Sequence, residues 1–380
     1  MSRENSSVSK SDTFLFYAAF IPGLQNFIAD VIKERLPDVK IQKLLDGAVV
    51  FETQTSYDKL NFFCFNNIFE VINILEYAND SIMLEKHLRF ISNYKPQNTQ
   101  SCKDNKKDFE SGTLCASMVN IDTIVNNNKN FKTFRIVVSN ENVPVSIDEK
   151  LRTDAEKTIS RLSGLKVSRA LPDTEFWFLY RNEESSQGQS FSVFMKRLTL
   201  RASWEKTLYK GELPPPLAWT LCRLASLKHS ETVLDPFCGC GSIPDSAAKH
   251  FHITDFICND NDKQAVSYTA ERFRKRKNCN FLFHNADFYD LPSVIKEKSI
   301  DAIVTDPPWG QYKDINDSGF LKKMFEVFYK LLKDGGRAVV LYSKDGNFLK
   351  AAESDFALQK KIPILLSGRK AVIYVFVKKR

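Results

Sequence analysis

The chain reads as an α/β protein: a mostly parallel sheet in its C-terminal part, preceded by smaller α+β modules. Three observations predict this. From about residue 205, short apolar runs alternate with amphipathic stretches, the pattern of a parallel sheet with helices on both faces. Before that point, strands cluster around turn signals such as Asp46-Gly47. Between the early modules, residues 94–112 are polar and nearly free of large apolar side chains, as in a linker.

The elements follow in order. "TFLFYAA", residues 13–19, is a strand, and Pro22-Gly23 turns it. Residues 23–35 place Leu24, Phe27, Ile28, Val31 and Ile32 on one helical face. "VKIQKLLDGAVVFET" predicts a hairpin, residues 55–63 a second helix, and residues 68–75 a strand. The order β-α-β-β-α-β is that of a ferredoxin-like module. After the linker come a strand, "FKTFRIVVS", and a helix, "SIDEKLRTDAEKTISRL". Ser146 and Glu149 have the spacing of a capping box. Two strands, "EFWFLY" and "SFSVFMKRLTL", complete this unit. The C-terminal part offers seven strand candidates, with helical stretches at 242–251, 262–276, 318–333 and 345–354. The last two strands are separated only by "LLSGR" and predict an antiparallel hairpin at the end of the sheet. The expected division is 1–98, a linker at 99–112, then 113–203 and 204–380.

Bulk composition narrows the class. At 380 residues, 43% hydrophobic and 26% charged, the chain suits two or three globular domains. A net charge of +8 is a mild excess, compatible with a phosphate-bearing partner. The eight cysteines show no CxxC pair and no zinc spacing, so no metal is expected and the thiols read as reduced and cytosolic. The N-terminus lacks a signal-peptide layout, and the apolar stretch 14–28 is too interrupted to span a membrane. A cytoplasmic protein is expected.

Four motifs fall at successive strand ends. "VLDPFCGCGS" ends a strand at Asp235, and Phe237, Cys238, Gly239 and Gly241 form a loop leading into a helix. Glycines let a ligand approach the backbone, and the helix N-terminus supplies amides. The spacing is neither GxGxxG nor a phosphate loop, which disfavours a dinucleotide or ATP. The alternative for this loop alone is an ordinary glycine turn. "FICNDND" puts Asp260 and Asn261 at the end of the second strand, where a doubly wound fold grips ribose hydroxyls. Asp262 fits better as the cap of the next helix. "FHNADFYDL" puts Asp287 beside Phe288 after the third strand, and an acid there can accept from an adenine amine.

The fourth motif, Asp306-Pro307-Pro308-Trp309, leaves the run "DAIVT" through two prolines. Proline fixes φ and pushes the preceding residue out of the helical region, so Asp306 is held in place. In order and spacing these four motifs resemble the class I S-adenosylmethionine-dependent methyltransferases, whose Asp/Asn-Pro-Pro-aromatic signature marks methylation of a planar exocyclic NH₂. The resemblance implies a Rossmann-like seven-stranded domain with S-adenosyl-L-methionine as cofactor. It also implies that Asp306 and the Pro307 carbonyl accept from the amine while Trp309 stacks on a flipped-out base.

"LPPPLAWTLCRLASLKHSETVLDPFCGCGSIPDSAA" further resembles the family that joins this domain to an RNA-binding THUMP domain. Leu213, Pro215 and Ala218 fit its helix. Cys240 and Asp245 depart mildly from the usual residues, and Gln311 stands near where such enzymes often carry Arg. The N-terminal half is similar to the matching ferredoxin-like plus THUMP arrangement. The resemblance implies guanine-N2 methylation of tRNA, with ribosomal RNA as a variant substrate and a small activator subunit in some relatives. N6-adenine methylation and a catalytically silent RNA-binding protein are the competing readings. For RNA phosphates the candidates are Lys196, Arg197, Arg201, Lys206 and Lys210. The cation run "ERFRKRKN", 271–278, reads as a solvated helix end. Residues 1–200 are expected to be dispensable for cofactor binding.

Overall fold

A computed structural model describes residues 13–78, 83–94, 121–125, 131–141, 143–182, 189–199, 212–276, 279–308, 318–343 and 346–380. The expected linker at 99–112 lies outside them. The chain forms two compact units, one of residues 1–19, 29–61 and 67–201, the other of residues 20–28, 62–66 and 202–380.

The first unit is built on one sheet. Its strands are β1 (Phe14–Ala19), β2 (Lys40–Leu45), β3 (Ala48–Thr53), β4 (Asn67–Ala78), β5 (Thr133–Asn140), β6 (Val143–Pro144), β7 (Lys166–Val167), β8 (Thr174–Asn182) and β9 (Gln189–Arg197). The order is β2-β3-β1-β4-β9-β8-β5-β6, with β7 on β5. Antiparallel pairing of β4 with β9 makes one continuous sheet across both segments flanking the expected linker. The helices are α1 (Gln25–Arg35), α2 (Met83–Ser92), α3 (Ile121–Val125) and α4 (Glu149–Ser163).

Strand alternation sorts the side chains. Phe176, Phe178 and Phe194 face a core with Leu88, Ile91, Ile124, Leu151 and Ile159 of the helices. Leu179, Val193 and Met195 face a second core with Tyr17, Val50 and Phe69. Two expectations are corrected here. The helix expected at 55–63 is a single 3₁₀ turn, Tyr57–Lys59. Its sequence has no apolar stripe at helical spacing, and the prediction rested on the module's usual order. The cap of α4 is Asp148, not Ser146: its carboxylate accepts from the Leu151 amide, 2.9 Å away, so the helix starts at Glu149.

The second unit carries the seven expected strands: β10 (Thr232–Asp235), β11 (Asp255–Asn259), β12 (Asn280–His284), β13 (Ile300–Thr305), β14 (Leu332–Tyr342), β15 (Phe356–Leu366) and β16 (Arg369–Lys378). Their order is β12-β11-β10-β13-β14-β16-β15. β12 through β14 are parallel, and β16 runs antiparallel between β14 and β15. The hairpin turn at Ser367-Gly368 has positive φ at both residues, 48° and 78°, as a type I′ turn requires. The helices are α5 (Pro215–Leu224), α6 (Ser242–His250), α7 (Lys263–Phe273), α8 (Leu291–Val294), α9 (Ser318–Leu331) and α10 (Gly346–Ala352). Met324, Phe325 and Phe328 of α9 and Phe348 of α10 close one face of the sheet over Ile303, Val340, Tyr374 and Phe376.

Residues 20–28 and 62–66 belong to this second unit. The Leu365 amide donates to the Pro22 carbonyl (3.0 Å), so the segment covers the outer edge of β15. Gly23 sits at φ 97°, where a Cβ would lie 2.0 Å from the Pro363 carbonyl oxygen, so only glycine fits. Phe27 packs on Trp219, fully buried in α5, and Phe63 on His250. Among the described residues, no helix is long and apolar enough to cross a membrane, and the cysteines form no disulfide.

Candidate active site

β10, β11, β12 and β13 run parallel, so their carboxyl ends share one edge of the sheet. The order reverses between β10 and β13, and this switch point is where doubly wound sheets hold ligands. Asp235 sits there, 1% exposed at the end of β10. Its Oδ1 accepts from Thr305 Oγ1 across the switch point (2.7 Å) and from the Phe237 amide (3.2 Å). Burial raises its pKa to about 7, against the lowering effect of those two hydrogen bonds.

The loop after β10 is tied down on every side. The Cys238 amide donates to the Asn259 carbonyl (2.8 Å) and the Gly239 amide to Asp260 Oδ2 (2.8 Å). Thr269 of α7 donates through Oγ1 to the Gly239 carbonyl (2.7 Å). Gly239 and Gly241 have φ of 48° and 82°. A Cβ on Gly241 would strike Thr269 at 2.8 Å, whereas one on Gly239 would meet nothing within 4 Å. Gly241 is needed for packing, and Gly239 leaves the loop open. Cys238 is buried, and its neighbour Cys258, together with burial, pushes its thiol pKa up.

At the end of β11, Asp260 accepts from Gly239 through Oδ2 and from the Asp262 amide through Oδ1 (2.9 Å). A carboxylate has about four acceptor sites, so two remain for hydroxyls. Asn261 is exposed beside it. Asp262 caps α7, as its spacing predicts. Asp287, exposed, caps the 3₁₀ turn Phe288–Asp290. Phe288 is buried and packs on Phe237, ring centroids 5.1 Å apart. Asp306 follows β13 directly and is half-buried, with Pro307 buried and Pro308 exposed. Trp309, Gln311 and Tyr312 lie outside the described residues. The donor set therefore fits a nucleoside-bearing ligand: an apolar wall at Phe237 and Phe288, spare acceptors on Asp260, and an open glycine loop.

Two groups escaped sequence reading. Asn259 is fully buried. Its Nδ2 donates to the carbonyls of Pro236 (3.1 Å) and Ala286 (3.2 Å), and its Oδ1 accepts from the Ala286 amide (3.2 Å). One side chain thus sets the spacing between the β10 and β12 loops. The available signal was an amide ending the apolar run "FIC". The second is Arg272, which donates to the Cys240 carbonyl (3.0 Å) and Glu212 (2.9 Å) and pairs with Asp245 (3.2 Å). Arg276 and Lys249 also pair with Asp245. Part of the cation run at 271–278 is therefore locked against the loop after β10, not solvated.

The phosphate-contact candidates need correction. Lys196 is 2% exposed, and burial lowers its pKa to about 8. Its register partner on β4 is Glu70. Arg197 is 6% exposed and pairs with Glu175 at 3.1 Å. Both are inside the first unit because β9 is a central strand with neighbours on both sides. Arg201, Lys206 and Lys210 lie outside the described residues.

Comparison with known proteins agrees with this geometry. Residues 203–364 match the family "UPF0020: RMKL-like, methyltransferase domain". The bovine (Bos taurus) U6 snRNA (guanine-N(2))-methyltransferase THUMPD2 is 30% identical over 185 residues, 48% of this chain and 34% of the relative. The tRNA (guanine(6)-N2)-methyltransferase of Thermus thermophilus is 26% identical over 235 residues, 60% of this chain and 67% of the relative. The crystal structure of TrmN from Thermus thermophilus superposes with a TM-score of 0.71 at 19% identity, covering 96% of this chain and 99% of that one. That likeness shows that the chain shares the fold of that protein. The chain spans only about a third of the bovine relative's length.

Proposed function

We propose that this protein is an S-adenosyl-L-methionine-dependent RNA methyltransferase that adds a methyl group to guanine N2 of tRNA. The observation that carries the reading is Asp306-Pro307-Pro308 leaving β13 at the switch point, one residue after Thr305 is fastened to Asp235. The names of the two sequence relatives, both guanine-N2 methyltransferases of RNA, support it.

When bound, the cofactor supplies an electrophilic methyl group on a sulfonium. Asp260 and Asn261 serve its ribose, Asp287 its adenine amine, and Phe237 and Phe288 the face of the ring. The loop Asp235, Cys238, Gly239 and Gly241 holds the remainder. The carboxylate of Asp306 and the carbonyl of Pro307 accept from the substrate NH₂ and turn its lone pair toward the methyl group, and the Asp306 carboxylate receives the proton shed once nitrogen is methylated. Trp309 stacks on the base. Fixing two acceptors on a stiff backbone means little reorganisation accompanies reaction.

The first unit is read as the ferredoxin-like and THUMP-like RNA-holding part, within 1–98 and 113–203. The domain at 204–380 performs the transfer. We read the protein as cytoplasmic, and a small activator subunit accompanies some members of the family it resembles. The test is transfer from labelled S-adenosylmethionine to unmodified tRNA, ribosomal RNA and U6 transcripts, with and without cell extract, followed by nucleoside mass spectrometry. N2-methylguanosine in tRNA, lost in Asp306→Ala, is expected. Methyladenosine, or no transfer to any RNA with extract present, overturns the reading.

A further inference from the structure

The net charge of the chain is not spread over it. Residues 356–380 hold seven Lys or Arg and no Asp or Glu, against a total of +8, so the rest of the chain contributes a single unit. These residues are the hairpin β15–β16 and the two residues after it. The hairpin divides into two ends. Lys378, at the amino-end edge of the sheet, is buried, and its Nζ donates to the carbonyls of Tyr329 and Leu332, each 2.7 Å away. Lys360, Lys361, Arg369 and Lys370 are all exposed.

Strand register places those four. Thr305 is level with Val340 of β14, Val340 with Tyr374 of β16, and Tyr374 with Lys361 of β15. Lys361 therefore stands level with the residue preceding Asp306, three strand spacings away, roughly 14 Å. Arg369 and Lys370 lie beyond Val372, the partner of Tyr342, and so project past the carboxyl edge of β14. Lysines at the opposite edge are matched by acids: Lys298 with Asp334 and Lys333 with Asp301. The hairpin supplies no acid of its own.

The structure assigns to this hairpin a phosphate-backbone docking surface, Lys360, Lys361, Arg369 and Lys370, that carries RNA across the carboxyl edge of the sheet toward Asp306. The inference rests on the RNA reading above. A polyanion suits it because the four charges lie along one edge strand and its turn, where a chain of phosphates can release counterions at each cation. Proximity to the amine-accepting motif favours the substrate itself.

The test replaces all four by Gln and measures binding of a pool of unmodified tRNA transcripts by fluorescence anisotropy at several salt concentrations. Each lost phosphate contact removes about 0.7–0.9 from the salt slope. The variant should lose about three units of slope and bind at least about tenfold more weakly near physiological salt. S-adenosylmethionine affinity by calorimetry and the melting temperature should hold. Lys298→Gln/Lys333→Gln, at the opposite edge, should leave the slope unchanged. An unchanged slope in the fourfold variant overturns the surface even if methyl transfer proceeds. A reduced slope without any methyl transfer upholds the surface while the guanine-N2 reading fails. Tighter binding to phosphatidylserine vesicles than to RNA overturns it in favour of a membrane surface.

Discussion

The two sheets handle buried polar groups in opposite ways. In the first unit, charged side chains are neutralised against partners on neighbouring strands: Arg197 on Glu175, Arg135 on the same carboxylate, Lys196 opposite Glu70. In the second, the mid-strand positions of β10 and β13 are apolar, and the polar groups gather at the strand ends, where Asp235, Asn259 and Asp260 tie loops to one another. The contrast separates residues that hold a sheet together from residues that hold a site in shape. A charge in a sequence motif does not say which it is; the groups it meets across the sheet or between the loops do.

Substitutions can break or sharpen this contrast. The largest effect is expected from Glu175→Ala, which leaves Arg197 buried without its carboxylate and should cost about 3–5 kcal/mol. Chemical denaturation would show it, with cofactor affinity unchanged while the protein is folded. Asp306→Ala should do the reverse: methyl transfer falls at least about a hundredfold, while cofactor Kd and melting temperature stay put. Asn259→Ala lies between. Stranding the Ala286 amide and two carbonyls should cost about 1–3 kcal/mol and also weaken the cofactor, which calorimetry would reveal. Loss of stability without loss of affinity would move Asn259 into the purely structural class.

The smallest effect is a pH trend. Burial holds the Asp235 carboxyl at a pKa of about 7, against an ordinary 3.8. A raised acid contributes stability that is complete below the ordinary value and is lost as pH rises through the folded one. Asp235→Asn removes that titration. The variant's melting temperature relative to the parent should therefore climb between pH 5 and pH 8, and a flat difference would mean the carboxyl ionises freely in the fold.

Much of the second unit was legible because its apolar runs are short, β-rich and bounded by Asp, Gly or Pro. Strand ends at Asp235 and Thr305 are marked by the residue types that begin the loops. The helix expected at 55–63 is absent because "YDKLNFFCFNN" gives no helical stripe, and the segment forms only the turn Tyr57–Lys59. Lys196 and Arg197 looked like surface cations because their partners, Glu70 and Glu175, are distant in sequence and become neighbours only through β4–β9 and β8–β9 pairing. The hairpin's charge was there to be counted, but in sequence it sits far from every motif and comes level with Asp306 only through strand pairing.

The strap of residues 20–28 along β15 bears on how the chain comes into being. Pro22, Gly23 and Phe27 leave the ribosome well before the helix and strand they cover, α5 and β15. Until then that segment has no resting place, and the open rim of β15 has no guard. Closure of so wide a loop is slow, and exposed strand rims recruit other chains meanwhile. Removing residues 1–200, which looked harmless to cofactor binding, would take the guard away for good. We expect such a fragment to aggregate as it folds, and one fused to a tethered copy of residues 20–28 to stay monomeric in light scattering.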